Sequence, residues 1–154
     1  MPRVSNIEIL YKNEQPTLSI RTRTKVESLP MLIGEGYGKM AAYLKELGEL
    51  LSDIPYVAYH NMDMQDLDVE IGFPVPKALP GRGDMKAGSI PAGKAVFCIY
   101  RGPYSEIEPT YNEMVKWIGD NGYTPVGTSY EQYYNGPEFP ESEMLTRIVM
   151  PLEP

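Results

Sequence analysis

The sequence predicts an α+β fold in which two successive β-α-β-β units share a mostly antiparallel sheet and carry two main helices. Two stretches place apolar residues at the i, i+3, i+4, i+7 spacing of a helix face, and the segments beside them alternate polar and apolar residues as strands do. The elements come in the same order in both halves, and Pro74 and Pro151, at the ends of the two final strands, lie 77 residues apart. This repeat of pattern implies a pseudo-two-fold axis with a groove between the two helices.

The first helix is predicted to begin at Ser28, a residue type that caps helix N-termini, and to end before Pro55. Pro30 fits its first turn because the N–H that proline lacks has no helical partner there. The apolar stripe consists of Leu29, Leu32, Ile33, Met40, Tyr43, Leu44, Leu47, Leu50 and Leu51.

The segment Gly34-Glu35-Gly36-Tyr37-Gly38 lies inside this helix. Each glycine there costs about 1 kcal/mol relative to alanine, which suggests that a flat ligand or the other helix approaches closely, with Tyr37 as a wall. Phosphate binding is not expected, because the segment does not follow a strand and no Lys-Ser/Thr pair comes after it.

The second helix is predicted to begin at Ser105 and to end at Asn121-Gly122, a left-handed stop. Strands are expected at 17–23 and 94–100 before the helices, after Pro55 and Pro125, and at 68–73 and 145–150. We therefore expect a single domain over 1–154, with repeat one at about 5–78, a Gly-rich connection at about 79–90 and repeat two at about 91–152.

The composition narrows the classes of function. With 14 basic and 21 acidic residues the net charge is −7, which argues against a direct nucleic-acid partner. One cysteine, Cys98, and one histidine, His60, exclude an internal disulfide and the usual Cys/His zinc cages, so no metal or cofactor is predicted. Since neither a signal peptide nor a membrane span is recognisable, a cytoplasmic location is expected. The 12 tyrosines, against 3 phenylalanines, suggest a pocket for an aromatic and positively charged compound.

The second half carries an ordered set of motifs. Tyr100-Arg101-Gly102-Pro103-Tyr104 precedes the helix, Trp117 lies near its end, Tyr130-Glu131-Gln132-Tyr133-Tyr134-Asn135-Gly136-Pro137 follows, and the last strand ends in Met150-Pro151-Leu152. With these motifs, and with Val69–Val75 in the first half, the chain resembles the GyrI-like family from about residue 5 to residue 152. This family is also known as the effector-binding domain of AraC-type and MerR-type multidrug regulators.

The resemblance implies a tandem β-α-β-β fold, described as an SH2-like repeat, and a cleft for bulky, planar, often cationic compounds. It also implies a buried glutamate among aromatic rings, and Glu131 matches that position. The chain is expected to be a stand-alone member, because no helix-turn-helix region accompanies the domain. By family analogy alone, a partner would be gyrase or a separate DNA-binding protein. A subset of the family hydrolyses cyclopropane-bearing genotoxins, so hydrolysis in the same cleft and gyrase inhibition are the alternatives to ligand sequestration.

Glu131 and Tyr133 alternate on one face of a predicted strand, so a carboxylate and a phenol would meet a ligand together. The predicted ligand-binding residues are Glu131, Tyr133, Tyr104, Trp117, Tyr37 and Glu70, and in a hydrolase the catalytic residues would be Glu131, Glu70 and Tyr133.

Several of these residues have equally simple structural roles. Glu70 can instead form an ion pair with Arg147, Tyr104 can staple the helix N-terminus, and Trp117 can belong to the core. Packing roles are expected for Tyr11, Tyr43, Tyr56, Tyr123 and Cys98, and exposure to solvent for His60.

Overall fold

The computed structural model describes residues 3–49, 54–135 and 138–154. They form two compact units. We name the units by their position along the chain. The inner unit is Asn13–Ala92, and the outer unit joins the N-terminal residues up to Lys12 with Gly93–Pro154.

The described elements are, in chain order, β1 (Glu8–Lys12), β2 (Gln15–Thr24), α1 (Leu29–Glu46), β3 (Tyr56–Tyr59), β4 (Leu67–Pro74), β5 (Lys86–Ile90), β6 (Gly93–Arg101), α2 (Glu108–Asp120), β7 (Ser129–Tyr133) and β8 (Leu145–Pro151). Short 3₁₀ turns cover Val26–Ser28, Tyr104–Glu106 and Glu141–Glu143.

The inner unit is an antiparallel sheet in the order β3-β4-β2-β5, with α1 packed on one face. Because side chains alternate along a strand, Leu18 and Ile71 turn toward α1, where they meet the buried Met40 and Leu44. Within this unit the core excludes water between the helix and the two central strands.

The outer unit has the order β1-β6-β8-β7, and all of its strand pairs are antiparallel. Its core lies between the sheet and α2, where Cys98 and Ile148 from the central strands contact Met114 and Ile118 from the helix. All four side chains are at most 1% exposed, so they form the dry centre of this core.

The predicted α+β class, with antiparallel strands and two main helices, is confirmed, and both halves have the predicted order of strand, helix, strand, strand. Two strands, β1 and β5, were not predicted, and β5 lies within the connection expected at 79–90. β1 pairs with β6 and β5 pairs with β2, so each forms an edge of its unit's sheet. The Lys86–Ile90 segment gave no signal because it lacks apolar alternation.

The first helix is shorter than predicted. It ends at Glu46, and Gly48 follows with φ of 73°, which lets the Glu49 N–H reach the Leu44 carbonyl oxygen at 2.9 Å. The predicted continuation through Leu50 and Leu51 lies outside the described residues. The second helix begins at Glu108, three residues later than predicted, because Pro109 fixes its first turn.

Among the described residues, no helix is both long enough and apolar enough to cross a bilayer. The same residues contain no group of three or more His, Cys, Asp or Glu side chains arranged to hold a metal ion.

Candidate functional site

Glu131 is a buried carboxylate on the helix side of the outer sheet. In the β7–β8 register it lies opposite Ile148, which in turn lies opposite Cys98, and both of those residues face α2. Glu131 therefore shares the face of the sheet that the helix covers, and only 7% of its surface is exposed.

Two tyrosine hydroxyls hold the carboxylate. The Tyr111 hydroxyl on α2 donates to Oε2 of Glu131, and the Tyr133 hydroxyl donates to Oε1 at 2.7 Å. Tyr133 is two residues along the same strand, so its side chain points to the same face as Glu131. The helix and the strand thus each contribute one donor to the same carboxylate.

Burial raises the pKa of Glu131, and the hydrogen bonds from Tyr111 and Tyr133 oppose this shift. No Lys, Arg or His among the described residues forms an ion pair with Glu131. The carboxyl group is consequently withdrawn from water without a positive partner, an arrangement that favours either a bound proton or a bound cation.

Tyr104 completes the site from the loop before α2. Its ring meets the ring of Tyr133 edge-on, with centroids 5.2 Å apart, while 43% of the residue remains exposed. Burial raises the pKa of its hydroxyl, and the charge of Glu131 raises it further. We call Glu131, Tyr111, Tyr133 and Tyr104 the glutamate cluster.

Trp117 lies on α2, six residues after Tyr111. Its indole stacks nearly parallel on the ring of Tyr123, with centroids 6.5 Å apart and an interplanar angle of 8°, and it packs against the core.

The two predicted site residues of the inner unit occupy opposite faces of its sheet. Tyr37 packs on the α1 side, with its ring 5.3 Å from that of Phe73 and its hydroxyl donating to the Tyr56 carbonyl at 3.0 Å. Glu70 lies opposite Arg21 in the β2–β4 register, on the face turned away from α1.

Two polar side chains among the described residues of its unit contact Glu70. The Tyr56 hydroxyl donates to Glu70 Oε2 at 2.5 Å, and His60 Nε2 lies 3.2 Å from Oε1. His60 was expected to be solvent-exposed, but its side chain is only 17% exposed because it contacts this carboxylate. The ion pair between Glu70 and Arg147 stays a prediction.

The sequence analysis did not identify Tyr111 or Tyr56 as polar partners of these glutamates, and it expects Tyr56 to pack. Tyr111 occurs in the apolar stripe of α2, where nothing distinguishes a tyrosine that bonds a carboxylate from one that fills the core. Tyr11, also expected to pack, is 75% exposed on the edge strand β1.

The chain belongs to the GyrI-like family: the family model of the GyrI-like small molecule binding domain matches residues 5–153. No curated protein sequence is significantly similar to it.

Several solved structures share the fold. The EcmrR C-terminal domain is 25% identical, with a TM-score of 0.82 over 97% of this chain and 98% of that domain. In the EcmrR–DNA complex, at 24% identity and a TM-score of 0.83, the matched region covers 97% of this chain and 58% of the EcmrR chain. A protein from Listeria innocua described as a hydrolase is 15% identical, with a TM-score of 0.75 over 99% and 94% of the two chains. SAV2435, whose structure contains bound tetraphenylphosphonium, is 12% identical, with a TM-score of 0.65 over 96% and 94%.

Proposed function

We propose that this protein binds bulky aromatic or cationic small molecules, with the Glu131 carboxylate as the anionic anchor and Tyr133 and Tyr104 as ring contacts. The observation that carries the proposal is a carboxylate that is 7% exposed and whose partners are two tyrosine hydroxyls. A structural glutamate at such a position would gain most from a basic partner, which the described residues do not provide.

A lipophilic cation suits this environment for physical reasons. Its charge is delocalised over a large apolar body, so it loses little hydration when it leaves water. The attraction to Glu131 is strengthened by the low local dielectric, and each favourably placed aromatic face adds about 0.5–2 kcal/mol of cation–π energy. A small hydrated cation would lack the apolar contacts and pay the larger desolvation cost.

The comparisons support the same class of ligand. The matching family model is that of a small-molecule-binding domain, and the SAV2435 structure contains tetraphenylphosphonium, a delocalised cation surrounded by four aromatic rings. We extend that ligand chemistry to this chain as part of the proposal.

The test is a titration of the protein with a cationic rhodamine dye, followed by fluorescence anisotropy, with tetraphenylphosphonium as an unlabelled competitor. Glu131→Gln should weaken binding of the cation by about tenfold or more, which corresponds to about 1.4 kcal/mol. Glu108→Gln, which removes one exposed carboxylate of the same unit, is the matched control and should bind like the wild type.

A neutral dye of similar size separates charge recognition from simple hydrophobic binding. Its affinity should change little in Glu131→Gln, because ring contacts alone hold it. If Glu131→Gln binds the cation as tightly as the wild type does, Glu131 is not the anchor.

Hydrolysis of a strained electrophile is a second candidate function, favoured by the raised pKa of Glu131. A buried carboxyl group that retains its proton can act as a general acid toward a leaving group, with Tyr133 beside it as a second donor. Incubation with a cyclopropane-bearing alkylator distinguishes the two functions. A hydrolase releases product in molar excess over protein, whereas a binding protein depletes the compound only stoichiometrically.

A further inference from the structure

The outer sheet carries a group of donors on the face opposite α2. Arg147 alternates along β8 with Thr146 and Ile148, and Ile148 faces the helix, so Arg147 points to the other side. Gln132 lies opposite Arg147 in the β7–β8 register and therefore shares that side.

Lys12 reaches the same face from the far edge of the unit's sheet. Strands β6 and β8 separate β1 from β7, which in a flat sheet amounts to about 14 Å. The Lys12 ammonium nevertheless lies 5.1 Å from the centroid of the Tyr130 ring on β7. Ile9 packs against the core on the α2 side, so alternation along β1 turns Lys12 to the opposite face, where it meets Tyr130. We call Lys12, Gln132 and Arg147 the donor cluster.

The donor cluster has N–H groups for which the described part of the outer unit provides no carboxylate acceptor. Arg147 Nη1 donates to Oε1 of Gln132 at 3.2 Å, which fixes the amide so that its NH₂ group points away from the guanidinium. Within the described part of the outer unit, no carboxylate forms an ion pair with Lys12 or Arg147.

Keeping the two positive charges together is unfavourable without an anion. Burial lowers the pKa of Lys12, and the charge of Arg147 lowers it further. Both cations lie over aromatic rings, Lys12 over Tyr130 and Arg147 over Phe97 at 5.0 Å, which offsets only part of this cost. A chain with 21 acidic residues has many carboxylates with which to neutralise the pair, yet the described part of its own unit places none there.

We propose that the donor cluster is a second binding site that takes the carboxylate group of an aromatic acid between Lys12 and Arg147, with the Gln132 amide as a third donor. The rings of Phe97 and Tyr130 beneath the cations favour an aromatic carboxylate over a bare oxyanion. This site differs from the glutamate cluster in position and in the sign of its charge, so a ligand for one does not suit the other.

The test compares sodium benzoate with sodium phosphate and sodium chloride at equal ionic strength, by differential scanning fluorimetry on the full chain. Benzoate should raise the melting temperature in a saturable manner and chloride should not. Lys12→Gln and Arg147→Gln should each lose this rise. Arg101→Gln removes one exposed positive charge from the same unit and should keep it. A rise with phosphate as large as that with benzoate would overturn the aromatic preference, and the absence of any benzoate effect in the wild type would overturn the site.

Two further measurements keep the outcome independent of folding and of the proposed function. Far-UV circular dichroism and cationic-dye binding of Arg147→Gln should match those of the wild type, because the glutamate cluster lies on the other face of the sheet. The competing explanation is that Glu70 neutralises Arg147. A double-mutant cycle of Glu70→Gln and Arg147→Gln with marked coupling in stability would support that ion pair and overturn the anion site.

Discussion

The two tyrosine donors make the stability of the protein depend on the charge of Glu131, and Tyr111→Phe tests this directly. The substitution removes one hydroxyl and keeps the ring that packs in the core between α2 and the sheet. A hydrogen bond to a charged group contributes about 1.5–3 kcal/mol, so Tyr111→Phe should lower the free energy of unfolding by about that amount while Glu131 is ionised.

The pH dependence follows from the direction of the pKa shifts. Burial raises the pKa of Glu131 above its ordinary value, and the Tyr111 hydroxyl holds it lower than it would otherwise be. Removing the hydroxyl therefore raises the pKa of Glu131 in the folded state further. The loss of unfolding free energy caused by Tyr111→Phe is therefore complete at pH values above this raised pKa, where the carboxylate is charged. It disappears as the pH falls and the folded protein takes up the proton.

Urea denaturation of the wild type and the variant across a series of pH values, from about pH 4 to about pH 9, measures this difference. Tyr123→Phe is the control, since the structure gives the Tyr123 hydroxyl no hydrogen bond within the described residues while its ring stacks on Trp117. In a Glu131→Gln background the cost of Tyr111→Phe should shrink, because the charge is gone. A cost of Tyr111→Phe that does not change across this pH range, or an undiminished cost in the Glu131→Gln background, would refute a charge-assisted bond.

Two other features of packing and one of reactivity give simple expectations. A Cβ at Gly72 would lie 2.6 Å from the Tyr56 hydroxyl, so Gly72→Ala should displace this fully buried ring and cost about 1–3 kcal/mol in urea denaturation. Gly34→Ala, whose Cβ would meet nothing within 4 Å, should instead stabilise α1 by up to about 1 kcal/mol in the same assay. A loss of stability would contradict the open space beside Gly34. Burial raises the pKa of the Cys98 thiol to about 11, so a disulfide reagent should modify it only as fast as the protein opens; rapid labelling of the native state would contradict its buried position.

The fold was largely predictable because its main signals are local. Apolar spacing identified both helices, and alternation identified β2, β4, β6 and β8, since each of these strands or helices buries one face. The helix ends were predicted less accurately, because single residues such as Gly48 and Pro109 determine them through the backbone conformation. Strands β1 and β5 were not predicted, because they are short edge strands with little alternation of polar and apolar residues. Their pairing with β6 and β2 is also non-local.

The site was predictable only in part, because a carboxylate acquires its chemistry from residues that are distant in sequence. Glu131 and Tyr133 lie on one strand and follow from alternation, whereas the second donor, Tyr111, comes from a helix 20 residues earlier. Lys12 and Arg147 likewise come from strands distant in sequence, β1 and β8, and alternation turns both side chains to one face of the sheet. In both cases the described part of its own unit provides no opposite charge, and both binding proposals rest on this imbalance more than on the residue types themselves.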